Sequence, residues 1–300
     1  MIELSKIVSD EKKVIQYLQQ KAILKKFDSC PYCGSIHIGS VRRNKLKCYS
    51  CRKEWSIRKD SILENLKIPP NKFLLAIKLF ELEISALQAS KQLKVSYKTM
   101  LKLYDFIRRA IYCEVEGKGE CLEGEVEMDE SYFGGKRKGK RGRGAEGKIP
   151  VFGILERDGR VKVEVVKDVT SESLLKLAIN KVKRGSIIYT DRYRSYDGLV
   201  SIGFRHERID HSKRFANGKV YINGIEGFWS YAKERLMRYH GVSREKFVLY
   251  LKELEYRYNI RGSEIFSKLI GVLAKHGKVA KIREVDEVSW GIKGKVCVIL

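Results

Sequence analysis

Two close pairs of cysteines are the first residues whose types and spacing suggest chemistry. Cys30-Pro-Tyr-Cys33 and Cys48-Tyr-Ser-Cys51 are separated by fourteen residues. Each pair turns two thiolates toward one point, and two pairs on successive hairpins complete a tetrahedral four-sulfur site. The spacing therefore predicts one structural Zn²⁺ ion. A rubredoxin-like iron site and two unmetallated pairs are the alternatives, and the basic residues around the pairs favour a zinc module that faces DNA.

Three acidic residues far apart in the sequence suggest a second kind of site. Asp129 lies within a segment with strand character, and Asp191 follows a short apolar segment. A carboxylate in or beside a core must be hydrogen-bonded, paired with a base or coordinated to a cation. Asp129 and Asp191 are separated by 61 residues, and Asp191 and Glu226 by 34 residues. Mg²⁺ prefers such oxygen ligands, so these acids predict a phosphoryl-transfer site with two Mg²⁺ or Mn²⁺ ions.

The segment around Glu226 has the apolar spacing of a helix. Asn223 and Lys233 lie three residues before and seven residues after Glu226, which places all three on one side of that helix. We predict that Lys233 is a fixed cation near the phosphate and that Asn223 is a neighbour of the site. His211, further upstream, is expected to contact DNA or the leaving group.

The elements that must position these acids follow from the patterning after about Gly117. Alternation and apolar runs predict three consecutive antiparallel strands and two further strands, at 125–133, 149–155, 160–166, 186–190 and 204–209. Helices are predicted from Thr170 or Ser171 to 182, around Asn223 and over 243–259. This order predicts an α/β fold with a ribonuclease H-like mixed sheet flanked by helices. Glu127 and Glu130, beside Asp129, are expected to face away from it.

The part of the chain before Gly117 has mainly helical patterning. An amphipathic helix is predicted over 9–26, and further helices over 69–109, with Ser85 and Ser96 as the caps of two successive helices. That spacing is typical of a helix-turn-helix, whose second helix would present Tyr97, Lys98 and Lys102 to a DNA major groove. A helical hairpin unrelated to DNA is the alternative.

The charge of the chain identifies its expected partner. The 61 basic and 37 acidic residues leave a net charge of +24, which attracts a polyanion such as nucleic acid. Six basic residues fall within eight positions of a glycine-containing loop and are predicted to contact phosphates: Lys136, Arg137, Lys138, Lys140, Arg141 and Arg143. With no secretory signal and no apolar run near ~18 residues, we expect a nucleoid-associated protein of the cytoplasm that has no membrane partner.

Several motifs together resemble a known family, the insertion-sequence transposases that join an N-terminal zinc ribbon to a DDE catalytic core of ribonuclease H-like fold. The matching stretches are Met128-Asp-Glu-Ser-Tyr-Phe-Gly-Gly135, Thr190-Asp-Arg-Tyr-Arg-Ser-Tyr196, His211-Ser with Phe215, and Asn223-Gly-Ile-Glu-Gly-Phe-Trp-Ser230 with Lys233. The resemblance implies that Asp129 and Asp191 bind metal, with the third ligand from the Asn-Gly-Ile-Glu motif. We assign Glu226, because it alone in that motif is an anion.

The resemblance also implies an organisation and an activity. We expect an N-terminal helix and zinc ribbon (1–60), a helix-turn-helix-like DNA-binding region (61–118), the catalytic core (119–262) and a C-terminal extension (263–300). The protein is expected to bind terminal inverted repeats, cut the 3′ ends and join them to target DNA, as a homodimer or higher oligomer on double-stranded DNA. Two positions differ from the family pattern: Arg192 follows the second aspartate, and Tyr221 replaces a common histidine.

Two other functions are compatible with parts of this pattern. A non-catalytic DNA-binding protein, either a regulator or an inactivated transposase copy, would retain the basic charge and the fold. A ribonuclease H-type nuclease acting on hybrids would retain the acids but would not need the upstream ribbon. The complete set of three acids favours the transposase.

Overall fold

A computed structural model describes most of the chain and divides it into two compact units. The described residues are 2–42, 44–117, 119–134, 148–157, 159–191, 194–209, 221–239 and 241–282. The first unit comprises the described residues up to Glu114 together with those from Gly262 onward, and the second runs from Val115 to Arg261. Within these described residues, every helix is too short or too polar to cross a bilayer.

The four cysteines lie beside a small antiparallel sheet of the first unit, with Cys48 at the end of its second strand. Its strands are β1 (Ile38–Arg42), β2 (Lys45–Cys48) and β3 (Glu54–Ser56), in the order β1-β2-β3. Two helices precede it, α1 (Ile2–Val8) and α2 (Glu11–Gln20). Helix α2 begins where the Asp10 carboxylate accepts a hydrogen bond from the backbone N–H of Lys12. The predicted helix over 9–26 is therefore shorter than expected, and α1 was not predicted.

The rest of the first unit is helical. Its remaining helices are α3 (Pro70–Glu81), α4 (Ala86–Leu93), α5 (Tyr97–Gly117), which continues into the second unit, and α9 (Ile265–Ile282). Helix α4 begins at the predicted cap, where Ser85 Oγ accepts from the backbone N–H of Gln88. Ser96 Oγ caps α5 in the same way by accepting from Thr99 N–H. Helix α9 packs against α3, although the sequence after Gly262 predicted no element.

The second unit is built around a five-stranded mixed sheet. Its strands are β4 (Glu125–Phe133), β5 (Ile149–Glu156), β6 (Val161–Val165), β7 (Ile187–Asp191) and β8 (Arg205–Ile209), in the spatial order β6-β5-β4-β7-β8. Strands β4, β5 and β6 pair antiparallel, whereas β7 and β8 continue the sheet parallel to β4. Three antiparallel strands followed by two parallel ones in this order form a ribonuclease H-like sheet, which confirms the predicted fold class.

Helices cover both faces of this sheet. Helix α6 (Ser171–Lys181) and a 3₁₀ helix (Arg194–Ile202) pack on one face, over a core that includes Val126, Met128 and Ile188. The other face packs against α7 (Asn223–Met237) and α8 (Arg244–Asn259). Alternation along β4 therefore separates an apolar face from one that carries Asp129.

The outer edge of β6 is paired with side chains of α8. Asn259 Oδ1 accepts from Val161 N–H at 2.7 Å, and Asn259 Nδ2 donates to Val161 O at 2.9 Å. The Glu255 carboxylate accepts from Val163 N–H at 3.1 Å. These side chains satisfy backbone groups that an exposed edge strand would offer to another chain.

Candidate active site and metal centre

Asp129 and Asp191 lie at the same level on neighbouring parallel strands. The pairing of β4 with β7 places Glu127 opposite Tyr189. Asp129 and Asp191 each follow two residues later, so both stay on the face of the sheet that carries α7. The register of two strands, rather than any local motif, brings these aspartates together.

The Asp129 carboxylate is held by Trp229 from the helix above it. Trp229 Nε1 donates to Asp129 Oδ2 at 3.1 Å, and the indole is 4% exposed. The indole can lie this close to the sheet because Gly153 on β5 is the partner of Asp129. A Cβ at Gly153 would lie 2.4 Å from a ring carbon of Trp229 and 2.9 Å from Ile225 Cδ1. A strand glycine and a core tryptophan thus shape the site, although neither was predicted to belong to it.

The environment of Asp129 shifts its protonation. The pKa of Asp129 is raised to about 6, mainly by burial and in smaller part by the negative charges of Asp191 and Glu226. Hydrogen bonds from the backbone N–H of Glu130 and from Trp229 oppose this rise. Asp191 and Glu226 therefore lie close enough to Asp129 to act on it electrostatically, as carboxylates arranged around a shared cation do.

Helix α7 carries the remaining residues predicted for the site. Glu226 lies in its first turn with an exposed side chain, and Asn223 and Lys233 are exposed as well. Lys233 Nζ lies 5.9 Å from the ring centre of Phe133, at the end of β4. The three carboxylates lie further apart than the four cysteines. Among the described residues, the cysteines are the one group of possible metal ligands whose ligand atoms all lie within 4.8 Å of one another. The oxygen donors of the carboxylates are nonetheless the type that Mg²⁺ and Mn²⁺ prefer.

The prediction that Glu127 faces away from Asp129 is wrong. Residues two apart on a strand share a face, and Glu127 accepts from the backbone N–H of Ile225 in α7 at 2.9 Å. Burial raises the pKa of the Glu127 carboxyl, against hydrogen bonds from the N–H of Ile225, from Arg157 and from the N–H of Gly224. Glu130 does face the opposite side, where it interacts with the buried Tyr196 hydroxyl.

The four predicted zinc ligands come together in the ribbon. Cys30 Sγ lies 3.6 Å from Cys51 Sγ, and Cys33 Sγ lies 3.6 Å from Cys48 Sγ. Tetrahedral zinc with Zn–S bonds of about 2.3 Å requires sulfurs roughly 3.8 Å apart, so the cluster fits this ion. The backbone N–H of Cys51 lowers the pKa of the Cys48 thiol to about 6, whereas burial and hydrogen bonds with the other three thiols, against one from the backbone N–H of Ser35, raise the pKa of the Cys33 thiol to about 12. The thiols of the cluster therefore influence one another's protonation.

The predicted DNA-contacting residues divide into two groups. Tyr97, Lys98 and Lys102 lie on the first two turns of α5 with exposed side chains. The predicted phosphate-contacting loop and His211 lie outside the described residues: Lys136, Arg137, Lys138, Lys140, Arg141, Arg143 and His211.

Known proteins match the second unit and much of the remaining chain. Residues 121–259 match the family model of the ISXO2-like transposase domain. An uncharacterized transposase-like protein of Haemophilus influenzae is 48% identical over 110 residues, which cover 37% of this chain and 88% of that protein. An uncharacterized protein in transposable element ISH50 of Halobacterium salinarum is 28% identical over 77% of this chain and 85% of that protein.

Solved structures of the Mos1 transposase are also similar. The catalytic domain of Mos1 mariner transposase is 16% identical, covers 59% of this chain and 92% of that chain, and has a TM-score of 0.33. The Mos1 strand transfer complex is 16% identical over 69% of this chain and 75% of that chain, with a TM-score of 0.28. The identity to the Haemophilus influenzae protein over most of its length, together with the family model, shows that this chain belongs to the insertion-sequence transposases with a DDE-type, ISXO2-like transposase domain.

Proposed function

We propose that this chain is an active DDE transposase that binds the terminal inverted repeats of an insertion sequence, cuts the strands and joins them to target DNA. The observation that carries the proposal is the electrostatic interaction of Asp129 with Asp191 and Glu226, reached from two strands and a helix. An inactivated copy that only binds DNA would have no need of three mutually repelling acids beside a core, since their repulsion opposes folding.

The residues of the site have separate tasks in this chemistry. Asp129 and Asp191 would supply carboxylate oxygens from the sheet, and Glu226 would supply the third ligand from α7. With two divalent ions bound, the site would activate a water or a 3′-hydroxyl and stabilise the leaving oxygen. Trp229 orients the Asp129 carboxylate through its N–H, and Lys233 provides a fixed positive charge at the exposed surface of α7. Asn223 is a neighbour of the site that would contact the DNA.

The rest of the chain would provide binding. The cysteine ribbon with one structural Zn²⁺ and the exposed Tyr97, Lys98 and Lys102 of α5 would hold the element ends, and the loop over 136–143 would contact phosphates. Because two ends must be joined in one reaction, the working form would be a dimer or higher oligomer on double-stranded DNA. An enzyme with this substrate would act where bacterial or archaeal DNA lies, in the cytoplasm.

The test measures cleavage and binding on the same duplex, which carries the inverted repeat that flanks the coding sequence. We expect Asp129→Ala and Asp191→Ala to abolish Mg²⁺- or Mn²⁺-dependent cleavage while binding to the duplex stays within about twofold, because end recognition belongs to other residues. Asp197→Ala is the matched control, since Asp197 lies shortly after β7 but is exposed and paired with Arg208. Full cleavage by the Asp129 variant, or binding without cleavage by the unaltered chain, contradicts the proposal.

A further inference from the structure

A single arginine contacts both strands that carry the aspartates and a residue just before the helix that carries Glu226. Arg157 follows β5 and donates from Nε to Glu127 Oε1 at 3.1 Å and from Nη1 to Glu125 Oε2 at 2.5 Å. Its Nη2 donates to Tyr221 O at 2.8 Å. Each nitrogen of the guanidinium group is thus directed at a different acceptor from a fixed, planar arrangement of donors, whereas an ammonium would offer its three donors from a single atom.

Two aromatic rings hold the same guanidinium group. Its central carbon lies 3.7 Å from the ring centre of Tyr189 and 3.9 Å from that of Tyr221. Stacking distances this short desolvate the guanidinium and fix its plane. Tyr221 is the position at which the family pattern commonly has a histidine, so its ring here serves Arg157. We call Arg157, Glu125, Glu127, Tyr189 and Tyr221 the arginine clamp.

The arginine clamp lies two residues before Asp129 and Asp191 on the same strands. Glu127 and Tyr189 are paired across β4 and β7, and Asp129 and Asp191 follow them by two residues, about 6.7 Å along each strand. The third element is α7, whose first turn is bound through Ile225 N–H to Glu127. Ile222, the residue that precedes this helix, provides no side-chain cap. Glu127 on β4 instead accepts a hydrogen bond from an N–H of the first turn.

A glycine of the Asn-Gly-Ile-Glu motif is explained by the same contact. A Cβ at Gly224 would lie 2.9 Å from Glu127 Oε2 and 2.9 Å from Leu155 Cδ2. The Glu127 side chain is 1% exposed and Arg157 is 12% exposed, so their attraction is little screened by solvent. The motif residue next to Ile225 is Glu226, which is thereby held at the open edge of the site.

We propose that Arg157 and Glu127 are positioning residues that hold β4, β7 and the first turn of α7 in the register required for Asp129, Asp191 and Glu226 to bind metal together. This inference rests on the proposed function, because it assigns the three acids to a metal site. Neither Arg157 nor Glu127 contacts the reacting phosphate. They act through the elements that carry the ligands, as supporting residues of metal sites do.

The first experiment measures the clamp without reference to activity. Hydrogen exchange of the full-length protein reports the amides of Gly224 and Ile225, which Glu127 accepts from. We expect Glu127→Gln and Arg157→Met to speed their exchange about tenfold or more, because a charge-assisted hydrogen bond is lost. Arg160→Met is the matched control, since Arg160 pairs with Glu156 and Glu120 at the surface of the same hairpin. Unchanged exchange at these two amides in the Arg157 variant overturns the proposal.

The second experiment measures the metal concentration that gives half-maximal cleavage. We expect Glu127→Gln and Arg157→Met to raise it about tenfold or more, with DNA affinity within twofold, since loss of a supporting residue costs 10–100-fold in metal affinity. A merely structural role would lower the melting temperature and leave this concentration unchanged. Arg157→Lys keeps the charge but not the planar, stacked geometry, so we expect it to resemble Arg157→Met. Full rescue by lysine refutes a positioning role.

Two further variants keep the outcomes distinct. If Glu127→Gln does not fold, Glu125→Gln tests the clamp at its half-exposed partner, and we expect about a threefold rise in the half-maximal metal concentration. No rise in that variant contradicts the clamp. If Asp129→Asn retains cleavage, the proposed function fails. If Asp129→Asn abolishes cleavage but the Arg157 variants match the Arg160 control in exchange and metal dependence, only the clamp is refuted.

Discussion

Adding one methyl group at Gly153 should disturb the candidate site from the opposite strand. Gly153 pairs with Asp129, and a Cβ there would lie 2.4 and 2.6 Å from two ring carbons of Trp229. The indole is rigid and buried, so it cannot move aside without shifting α7 or its own rotamer. Either response draws Trp229 Nε1 away from Asp129 Oδ2, which it now contacts at 3.1 Å.

The cost of Gly153→Ala is the balance of three effects. Overpacking a core costs about 1–3 kcal/mol. Loss of a hydrogen bond to a charged group costs about 1.5–3 kcal/mol, and this overlaps with the packing cost because one displacement causes both. The smaller entropy of the unfolded chain returns about 0.4–1 kcal/mol. We expect the second unit to lose about 2–3 kcal/mol of unfolding free energy and cleavage to fall about 100-fold, since a displacement of 1 Å has that effect on positioned groups.

Urea unfolding followed by circular dichroism measures the first quantity, and a cleavage assay at saturating Mn²⁺ measures the second. Gly227→Ala is the stability control, because a Cβ at Gly227 on α7 meets nothing within 4 Å. That variant should gain about 0.5–1 kcal/mol from helix propensity. Trp229→Phe replaces the indole by a smaller aromatic ring without an N–H, so it should reduce cleavage by removing the hydrogen bond to Asp129 without overpacking the core. If Gly153→Ala unfolds and cleaves like the unaltered chain, the close approach of Trp229 to the sheet is wrong.

Three more predictions follow from the described contacts. Because burial raises the Asp129 pKa from 3.8 to about 6, the folded state holds this proton more tightly than the unfolded state, and the Asp129 contribution to stability is lost as pH rises from about 4 through 6. Asp129→Asn should therefore stabilise the metal-free protein by up to about 3 kcal/mol at pH 7 and hardly at all at pH 4, and equal urea stabilities of the two proteins at pH 7 would argue against it. Metal analysis should find about one zinc ion per chain. Cys30→Ser should lose both the zinc and the binding of element ends, because structural zinc contributes to the free energy of folding. Unaltered protein that contains no zinc would contradict this prediction. Asn259→Ala leaves the N–H and C=O of Val161 without these partners, so it should lower the free energy of unfolding by about 1–2 kcal/mol and promote self-association, measured by light scattering. Asn180→Ala, on the exposed side of α6, is the control and should change neither quantity.

Local signals were sufficient for most of the elements. Caps at Ser85, Ser96 and Thr170 are observed where the sequence predicts them, and the strands after Gly117 follow their alternation. The cysteine spacing predicts the cluster correctly because each pair lies in a short turn whose geometry is local, with Cys30 N–H donating to Ser35 O and Cys48 N–H to Lys53 O. Helix α9 was missed although its buried residues, among them Phe266, Leu269, Ile270 and Leu273, have helical spacing, so the signal was present in the sequence.

The candidate site itself depends on information of a different kind. Strand alternation alone places Glu127 on the same face as Asp129, because residues two apart on a strand point to the same side. The prediction that Glu127 faces away from Asp129 therefore misapplied this alternation. By contrast, the partners of Arg157 lie 30 to 64 residues away, and Gly153 acquires its role only because Asp129 is opposite to it. The sequence by itself determined the residue types, most of the helices and strands and the cysteine cluster, since these depend on near neighbours. Which side chains share the space around Asp129 was decided by the pairing of β4 with β5 and β7, because register is a long-range property of the folded sheet.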